Sequence, residues 1–440
     1  MTQSTVLFSP RKPAIPAQGG TLELLLRVQA PDQPQQDKAR VVPKRLALVV
    51  DRSGSMNGHP LKEALRCVTH IASRLTSDDQ MSVVVYDDEV DVLVPLSPMK
   101  SAQAIQQAIA QVESGGSTDL FAGWETGARQ LEGGVESSIS RVLLLSDGQA
   151  NHGVCEVDAI ERHCREWLAR GVSTTTVGLG RGFNEDLMIA MARSGGGQQY
   201  FGQSAEDLYD NFDEELSLLQ ALCLRKLDVK LIPAPGVIVE PLGLVQQNAD
   251  GSYRLSDLAW GAETWIMLRL HLSPSAAGTE RDLLAASLQA VSMDGAAVPS
   301  QSAMLRLPVA DAVAFEAIPA DELVQRRYQE VEFALASQVL RQLVEKGDMQ
   351  AAQTVLADLE QRFAQNAWLS GKLERLREMA QRDPQMMSKE LHFNSMRMSR
   401  RLVAKSEMAF STDETDLDIP AFLRKKLEEG KGRKRRDDTP

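Results

Sequence analysis

Three short polar segments carry the side chains that could do chemistry in this sequence. Asp51-Arg52-Ser53-Gly54-Ser55 presents a carboxylate and two hydroxyls at alternating positions, and Gly54 permits a tight turn between the serines. Gly115–Asp119 and Ser146–Gly148 add a further hydroxyl and a further carboxylate. Hard oxygen donors of this kind suit Mg²⁺, which prefers near-octahedral oxygen coordination and keeps water ligands. The sequence therefore predicts a divalent-metal site built from Asp51, Ser53, Ser55, Thr118 and Asp147.

The segments around these loops predict how they are positioned. Residues 46–50 form a short continuous apolar run, which is typical of a strand buried on both faces of a parallel sheet, and residues 141–145 (RVLLL) are predicted to form another strand. Strand-like and helix-like patterns alternate over residues 43–220, which predicts a doubly wound α/β domain. Ligands of such sheets bind beyond the carboxyl ends of the strands, where Asp51 and Asp147 are expected.

These motifs resemble the metal-ion-dependent adhesion site of von Willebrand factor A (VWA) domains, a Rossmann-like fold. The resemblance covers about residues 43–220 and includes DRSGS after an apolar strand, the GGSTD loop and LLLSDGQAN, in the family's order. It implies that Asp51, Ser53, Ser55 and Thr118 contact a metal directly or through water, and that Asp147 acts largely through water. The implied cofactor is Mg²⁺, with Mn²⁺ or Ca²⁺ as alternatives.

The chemistry of the donor set favours binding over catalysis. Few anionic ligands contact the metal, so an incoming Asp or Glu carboxylate from a partner protein can complete the shell. Metal-assisted hydrolysis needs a general base beside a bound water, and His59 and His152 are each lone histidines interpreted as exposed polar residues. We therefore predict a non-enzymatic, Mg²⁺-dependent scaffold, with a metal-dependent hydrolase as the weaker alternative. The family resemblance implies partners such as a MoxR-type AAA+ ATPase or components of kinase–phosphatase stress systems.

The residues flanking the ligand loops should form the partner surface. An aromatic such as Trp124 would make a good anchor if exposed, although a core position is the favoured interpretation. Gly195-Gly196-Gly197 is interpreted as a plain turn, because no helix follows with phosphate-binding spacing. The flanking set comprises Met56, Asn57, His59, Trp124, Asn151 and His152.

Outside residues 43–220 the pattern indicates further domains. Residues 221–312 read as strands separated by turn residues, which predicts a β-sandwich. Residues 1–42 form an N-terminal segment: residues 1–20 are expected to be loose, and the strand at 21–30 to join the sandwich, so that the α/β domain is inserted in or beside it. Residues 320–384 have helical spacing, predicting a helical hairpin or small bundle, and residues 385–440 are expected to be a largely disordered tail.

A short motif stands out in the tail, at residues 416–426. Its apolar residues and the adjoining arginine would suit helix-in-groove recognition by a partner. The motif resembles the C-terminal peptide of the bacterial division tubulin homologue FtsZ, which implies docking to division or proteolysis proteins; chance similarity is the alternative. An adaptor acting mainly through this peptide is thus a second functional hypothesis, with these candidate contact residues: Leu417, Ile419, Pro420, Phe422, Leu423 and Arg424.

Composition restricts the class of protein. The net charge of −12 argues against generic binding to nucleic acid or anionic membranes, and the basic run at 431–436 is a local exception. The four cysteines form no CxxC pair, which favours a reducing compartment, and Cys155, His163 and Cys164 lack a second ligand pair at zinc spacing. No signal-like run and no apolar stretch near 20 residues is found, so a cytoplasmic protein without a membrane span is expected.

Overall fold

A computed structural model of the protein describes residues 4–31, 42–134, 138–179, 184–202, 205–243, 245–293, 295–382, 387–388, 391 and 403–404. The tail motif at 416–426 lies outside the described residues. The chain divides into two compact units: one comprises residues 36–222 with 293–295, and the other comprises residues 1–35, 223–292 and 296–440.

Three strands precede the α/β unit: β1 (Thr5–Pro10), β2 (Ile15–Pro16) and β3 (Gly20–Gln29). β1 pairs antiparallel with β3 and places Val6 opposite Val28. The expectation that residues 1–20 are loose is therefore wrong. Val6 and Ile15 are buried, so burial of short apolar stretches between prolines stabilises this segment. These stretches are too short to show the long periodic pattern from which a strand is predicted.

The α/β unit contains one six-stranded sheet in the order β6-β5-β4-β7-β8-β9. All neighbouring strands are parallel except the edge hairpin β5–β6. Its strands are β4 (Lys44–Asp51), β5 (Gln80–Tyr86), β6 (Val90–Pro98), β7 (Ile139–Ser146), β8 (Val172–Leu179) and β9 (Gly196–Gly202). Its helices are α1 (His59–Arg74), α2 (Ala102–Ile109), α3 (Leu120–Gln130), α4 (Val157–Ala169), α5 (Glu185–Ser194) and α6 (Ala205–Ala221).

Helices cover both faces of this sheet, and side-chain alternation along β4 explains why. Leu46, Leu48 and Val50 pack into a core with α1, α2 and α6. Ala47 and Val49 point the other way, into a core with α3, α4 and α5. A strand buried on both faces must be apolar throughout, as the sequence pattern indicated. The predicted α/β fold is confirmed.

Two strands at the sheet edges depart from the prediction. The sequence prediction does not include β6, an edge strand none of whose residues is fully buried and whose apolar residues are interrupted by Asp91 and Pro95. The interpretation of Gly195–Gly197 as a plain turn is wrong, because Gly196 begins β9. Glycine is needed there because β9 approaches β8 closely: a Cβ on Gly197 would lie 2.2 Å from the carbonyl oxygen of Thr174.

The other unit contains two sheets where a β-sandwich was expected; the first is antiparallel, and the second is antiparallel except for the parallel pair β17–β2. One has the order β1-β3-β15-β11 with β18 also on β15, and the other β12-β13-β10-β16-β17-β2 with β14 on β10. β3 pairs along its whole length with β15, from Gly20 opposite Leu272 to Gln29 opposite Glu263. The strands are β10 (Leu222–Pro233), β11 (Val237–Leu242), β12 (Gln246–Gln247), β13 (Tyr253–Arg254), β14 (Leu258–Ala259), β15 (Ala262–Leu272), β16 (Glu280–Ser292), β17 (Ala297–Ala310) and β18 (Val403–Ala404).

Helices follow these strands in the same unit: α7 (Ala312–Ala317), α8 (Glu322–Glu345), α9 (Met349–Arg362) and α10 (Ala367–Arg382). Asp348 caps α9 by accepting a hydrogen bond from the amide of Ala351, and Gly347 has a φ of +75°, which permits the turn between α8 and α9. Val324 and Val331 of α8 pack against Leu25 of β3 and Met267 of β15. The helical segment therefore docks on the first antiparallel sheet.

Candidate functional site

Asp51 is the last residue of β4 and is fully buried at the carboxyl end of the parallel sheet. Its Oδ1 accepts the amide hydrogen of Ser53 at 2.9 Å, and its Oδ2 accepts hydrogen bonds from the Ser146 hydroxyl at 2.6 Å and the Tyr86 hydroxyl at 3.2 Å. Three neighbouring strands thus supply one carboxylate and two of the donors that fix it, because β5 and β7 flank β4.

The two serines of the first loop lie together. The Oγ atoms of Ser53 and Ser55 are 3.2 Å apart. Ser53 is buried, whereas Ser55 is exposed in the single 3₁₀ turn Gly54–Met56 that follows. The turn places both hydroxyls at the same edge of the sheet as the Asp51 carboxylate.

The second loop is hydrogen-bonded to the first. The Gly54 amide donates to the carbonyl of Gly116 at 3.1 Å, and the Gly115 amide donates to the carbonyl of Arg52 at 2.9 Å. Thr118, at the end of this loop, is buried, and its amide donates to Oδ1 of Asn151 at 2.8 Å. The backbone of Thr118 is therefore held by the loop that follows β7.

Asp147 comes directly after β7 and is almost buried. Its Oδ1 accepts the amide hydrogen of Gln149 at 3.1 Å, and its carbonyl accepts the amide hydrogen of Asn184 at 2.7 Å. The negative charge of Asp147 is close enough to Asp51 to raise the pKa of Asp51. The structure thus brings all three predicted loops together at one edge of the sheet.

The electrostatics of this cluster indicate which kind of ligand suits it. Burial raises the pKa of the Asp51 carboxyl, the charge of Asp147 raises it further, and hydrogen bonds from Ser146 and Ser53 offset only part of the effect. Burial and the Asp51 charge together hold the pKa of Tyr86 well above its usual value, so its hydroxyl stays protonated. A divalent cation would relieve the repulsion between two buried carboxylates. Two carboxylates and three hydroxyls therefore fit a hard cation.

The one basic side chain within the first loop is already paired. Arg52 lies 3.2 Å from Asp87 Oδ2 through Nε and 2.9 Å from Asp91 through Nη2. Although burial lowers the pKa of the Arg52 guanidinium, hydrogen bonds and charges from Asp87 and Asp91 outweigh it and raise the pKa. Arg52 therefore serves the β5–β6 turn rather than the carboxylates of the candidate site.

Sequence reasoning missed Tyr86 and Ser146 as functional residues. Both stand at the carboxyl ends of strands that flank β4, so the expected sheet order could have placed them beside Asp51. The residue type of Tyr86 did not indicate a role at the site, because a tyrosine that ends an apolar strand is usually a core residue.

The flanking residues fall into two groups. Asn57, His59, Asn151 and His152 are exposed, as a partner surface requires. Met56 is fully buried, so its place on the expected partner surface is wrong; it packs in the core that contains α1. Trp124 is also fully buried and donates from Nε1 to Thr174 Oγ1 at 3.0 Å, so the favoured core interpretation holds.

The cysteine residues in and beside α4 do not form a cluster. Cys155 is exposed and precedes the helix, whereas Cys164 is buried and burial raises the pKa of its thiol. Over the described ranges, no group of three or more His, Cys, Asp or Glu side chains could hold a metal ion. The candidate site does not meet that description because three of its five donors are hydroxyls. A search for membrane-spanning helices among the same residues finds none of sufficient length and apolarity.

Comparison with known proteins places the α/β unit in a family. Residues 46–215 match the von Willebrand factor type A domain family. The chain is 27% identical over 249 residues to the uncharacterized protein sll0103 of Synechocystis sp., covering 54% of this chain and 59% of that protein. It is 27% identical over 229 residues to the uncharacterized protein YfbK of Escherichia coli, covering 51% of this chain and 39% of that protein. The chain thus spans well under two thirds of these relatives.

Solved structures share the fold over most of the chain. A von Willebrand factor type A protein from Catenulispora acidiphila aligns with a TM-score of 0.69 at 15% identity, covering 90% of this chain and 97% of that one. The ArnB paralog VWA2 from Sulfolobus acidocaldarius aligns with a TM-score of 0.59 at 16% identity, covering 90% and 98%. At this identity the likeness concerns the fold alone. The chain therefore contains a von Willebrand factor type A domain, matched over residues 46–215, and has bacterial relatives.

Proposed function

We propose that this protein is a non-enzymatic, Mg²⁺-dependent protein-binding scaffold or adaptor. An Asp or Glu carboxylate of a partner protein completes the coordination of the metal. The observation that carries the proposal is the burial of Asp51 beside Asp147, within three loops that hydrogen bonds join into one cluster. The residues that would hold the metal are Asp51, Ser53, Ser55, Thr118 and Asp147.

The metal would supply an electrophilic position for the incoming carboxylate, since hydroxyl ligands neutralise little of its charge. The protein's own residues make this position the attractive one. Arg52 is engaged by Asp87 and Asp91 and is therefore not available to receive a partner's carboxylate. Ser55 is exposed at the surface of the cluster, whereas Asp51 and Ser53 lie beneath it. A partner would approach from the Ser55 side.

The surroundings favour a scaffold over a hydrolase. The His59 side chain is 70% exposed and lies 3.9 Å from Glu63, on the helix that follows the first loop. The His152 side chain is 56% exposed and its Nδ1 lies 3.3 Å from Asp119. A general base must be held within hydrogen-bond reach of a metal-bound water, and such exposed side chains are poorly held for that role.

The partner classes follow from the sequence resemblance. A MoxR-type AAA+ ATPase or a component of a kinase–phosphatase stress system would offer the carboxylate. The FtsZ-like motif at 416–426 would add a second, metal-independent contact with division or proteolysis proteins. A reducing cytoplasm is the compartment we propose, because the four cysteines of the sequence form no CxxC pair.

Metal binding should be measured first, on the full chain, by calorimetric titration with MgCl₂ and MnCl₂. Ser55→Ala removes an exposed candidate ligand, and Ser117→Ala removes an exposed serine hydroxyl from the adjacent loop as a matched control. We expect Ser55→Ala to weaken binding at least tenfold, about 1.4 kcal/mol, and Ser117→Ala to leave it unchanged. Equal behaviour of the two variants would contradict the assigned ligand set.

Partner capture then tests the scaffold. The full chain, Ser55→Ala and a chain ending before Asp416 are compared as baits in a bacterial lysate, with Mg²⁺ or with EDTA. A partner retained only with Mg²⁺ and an intact Ser55 supports the metal-dependent scaffold. A partner lost only on truncation supports the tail adaptor instead. Turnover of a substrate with Mg²⁺ would overturn the non-enzymatic assignment.

A further inference from the structure

The two oxygens of the Asp51 carboxylate have unequal surroundings. Oδ2 accepts two hydrogen bonds, from Ser146 Oγ at 2.6 Å and from Tyr86 at 3.2 Å. Oδ1 accepts one, from the Ser53 amide at 2.9 Å. An ionised carboxylate has about four acceptor positions, two on each oxygen. Oδ2 is therefore saturated by the protein, and a metal would contact the carboxylate through Oδ1, on the side of the Ser53 hydroxyl that is itself a candidate ligand.

Both donors to Oδ2 are locked in place. The Ser146 hydroxyl accepts the amide hydrogen of Gly148 at 2.7 Å, which directs its own proton towards Asp51. The Tyr86 ring lies against Gly123 of α3 so closely that a Cβ on Gly123 would be 2.3 Å from the ring carbon Cγ. Tyr86 is fully buried, so its hydroxyl cannot turn to solvent.

We infer that Tyr86 and Ser146 are positioning residues that hold Asp51 to a one-oxygen contact and thereby make the site select small cations such as Mg²⁺ over Ca²⁺. Ca²⁺ takes six to eight oxygen ligands and often uses both oxygens of a carboxylate, whereas Mg²⁺ takes six in a near-octahedral arrangement. Saturation of Oδ2 removes the second oxygen that Ca²⁺ would use. The inference rests on the proposed function, because it concerns the same metal.

The other candidate ligands strengthen this reasoning. Ser53, Ser55 and Thr118 each provide a single hydroxyl oxygen, so they cannot raise the coordination number by changing their mode of binding. Asp147 has one oxygen engaged by the Gln149 amide at 3.1 Å. The second oxygen of Asp147 is the same in the wild type and in variants at Tyr86 or Ser146, so a change in cation preference in those variants reports on the Oδ2 atom of Asp51.

The test uses the full chain and two single variants, Tyr86→Phe and Ser146→Ala. Each removes one hydroxyl from Oδ2, and Tyr86→Phe keeps the ring against Gly123. Thr176→Val is the matched control, because it deletes a buried hydroxyl of β8 that donates to the carbonyl of Met188 at 2.8 Å. Titration with MgCl₂ and with CaCl₂ gives the ratio of the Ca²⁺ Kd to the Mg²⁺ Kd, and thermal unfolding checks that each variant is folded.

We expect the ratio to fall about tenfold in Tyr86→Phe and in Ser146→Ala, and to stay at the wild-type value in Thr176→Val. A merely structural role would weaken both metals alike and leave the ratio unchanged, which would overturn the inference while leaving the proposed function intact. If Ser146→Ala does not fold, Tyr86→Phe decides. If the wild-type chain binds none of Mg²⁺, Mn²⁺ and Ca²⁺, the proposed function itself fails.

Discussion

The close approach of α3 to the sheet provides the sharpest test of how the site is assembled. α3 begins one residue after Asp119, which is its N-cap, so its position fixes that of Thr118. Gly123 lies against the Tyr86 ring, and a Cβ there would meet three ring-side atoms at 2.3, 2.4 and 2.8 Å. Ordinary contact begins at 3.4 Å, so Gly123→Ala requires α3 to move outward by roughly 1 Å.

The free energy can be bracketed from opposing effects. Overpacking a well-filled core costs about 1–3 kcal/mol, and replacing glycine by alanine within a helix recovers about 1 kcal/mol. We expect Gly123→Ala to lower the free energy of unfolding by up to about 2 kcal/mol, a fall in Tm of up to about 8 °C for a domain of this size. We also expect at least tenfold weaker Mg²⁺ binding, because the shift of α3 carries Thr118 away from Asp51.

Gly127→Ala is the matched control for this variant. It lies one turn further along α3 and gains the same helix propensity, but its Cβ would meet the terminal Cγ2 of Val49 at 2.3 Å, with the next atom at 3.7 Å. A single methyl can be displaced more easily than a locked ring, so a smaller effect on both stability and Mg²⁺ binding is expected. Calorimetric titration and thermal unfolding measure the two quantities. The reasoning is refuted if Gly123→Ala raises Tm and binds Mg²⁺ like the wild type.

Three further predictions concern stability. Glu215→Gln should lower the free energy of unfolding by about 3–5 kcal/mol in urea titration, because the buried Arg141 guanidinium loses its charged partner. The control is the exposed Glu166→Gln, which should change the free energy of unfolding by less than about 1 kcal/mol. Burial raises the pKa of Asp79, but hydrogen bonds from Thr76 and Lys44 and the charge of Lys44 lower it overall. The ionised Asp79 therefore stabilises the folded protein at pH values above the unfolded-state pKa, and this stabilisation is lost as the pH falls through the folded-state pKa. The stability advantage of wild type over Asp79→Asn should therefore be full at pH 7 and shrink below about pH 4, and an advantage that grew on acidification would contradict this. Saturating Mg²⁺ at 100 times its Kd should stabilise the wild type by about 2.7 kcal/mol and, at the same concentration, stabilise Ser55→Ala less; equal Tm gains would refute the ligand assignment.

The sequence predicted the parts of the fold that burial makes periodic. β4 and β7 are apolar throughout because helices cover both faces, and their carboxyl ends place Asp51 and Asp147 at one edge. β6 and β1 escaped prediction because most of their residues are only partly buried, so each depends on pairing with another strand rather than on a buried apolar pattern. Such pairing is a tertiary effect that local propensity does not encode.

The candidate site was predictable in its donors but not in their surroundings. The hydroxyls and carboxylates are visible as motif residues, whereas Tyr86 becomes significant only once β5 lies beside β4 in the sheet. Met56 illustrates the converse case. Its place beside Ser55 suggested an exposed residue, but the 3₁₀ turn directs it into the core of α1. A turn of three residues can reverse the direction of a side chain, and its geometry is not readable from residue types alone.

The pairing of β3 with β15 has a consequence for biosynthesis. Gln29 and Glu263, joined by a side-chain hydrogen bond of 2.7 Å, are 234 residues apart in sequence. Strand β3 leaves the ribosome early but has no access to β15 until the whole α/β unit has been translated. Domains usually fold as units during synthesis, so we expect the α/β unit to fold first and thereby shorten the effective loop that β3 and β15 must close. Until then β1 can pair with only one edge of the apolar β3, and the other edge stays open. Nascent chains shorter than about 270 residues are therefore the species most prone to aggregation or chaperone capture.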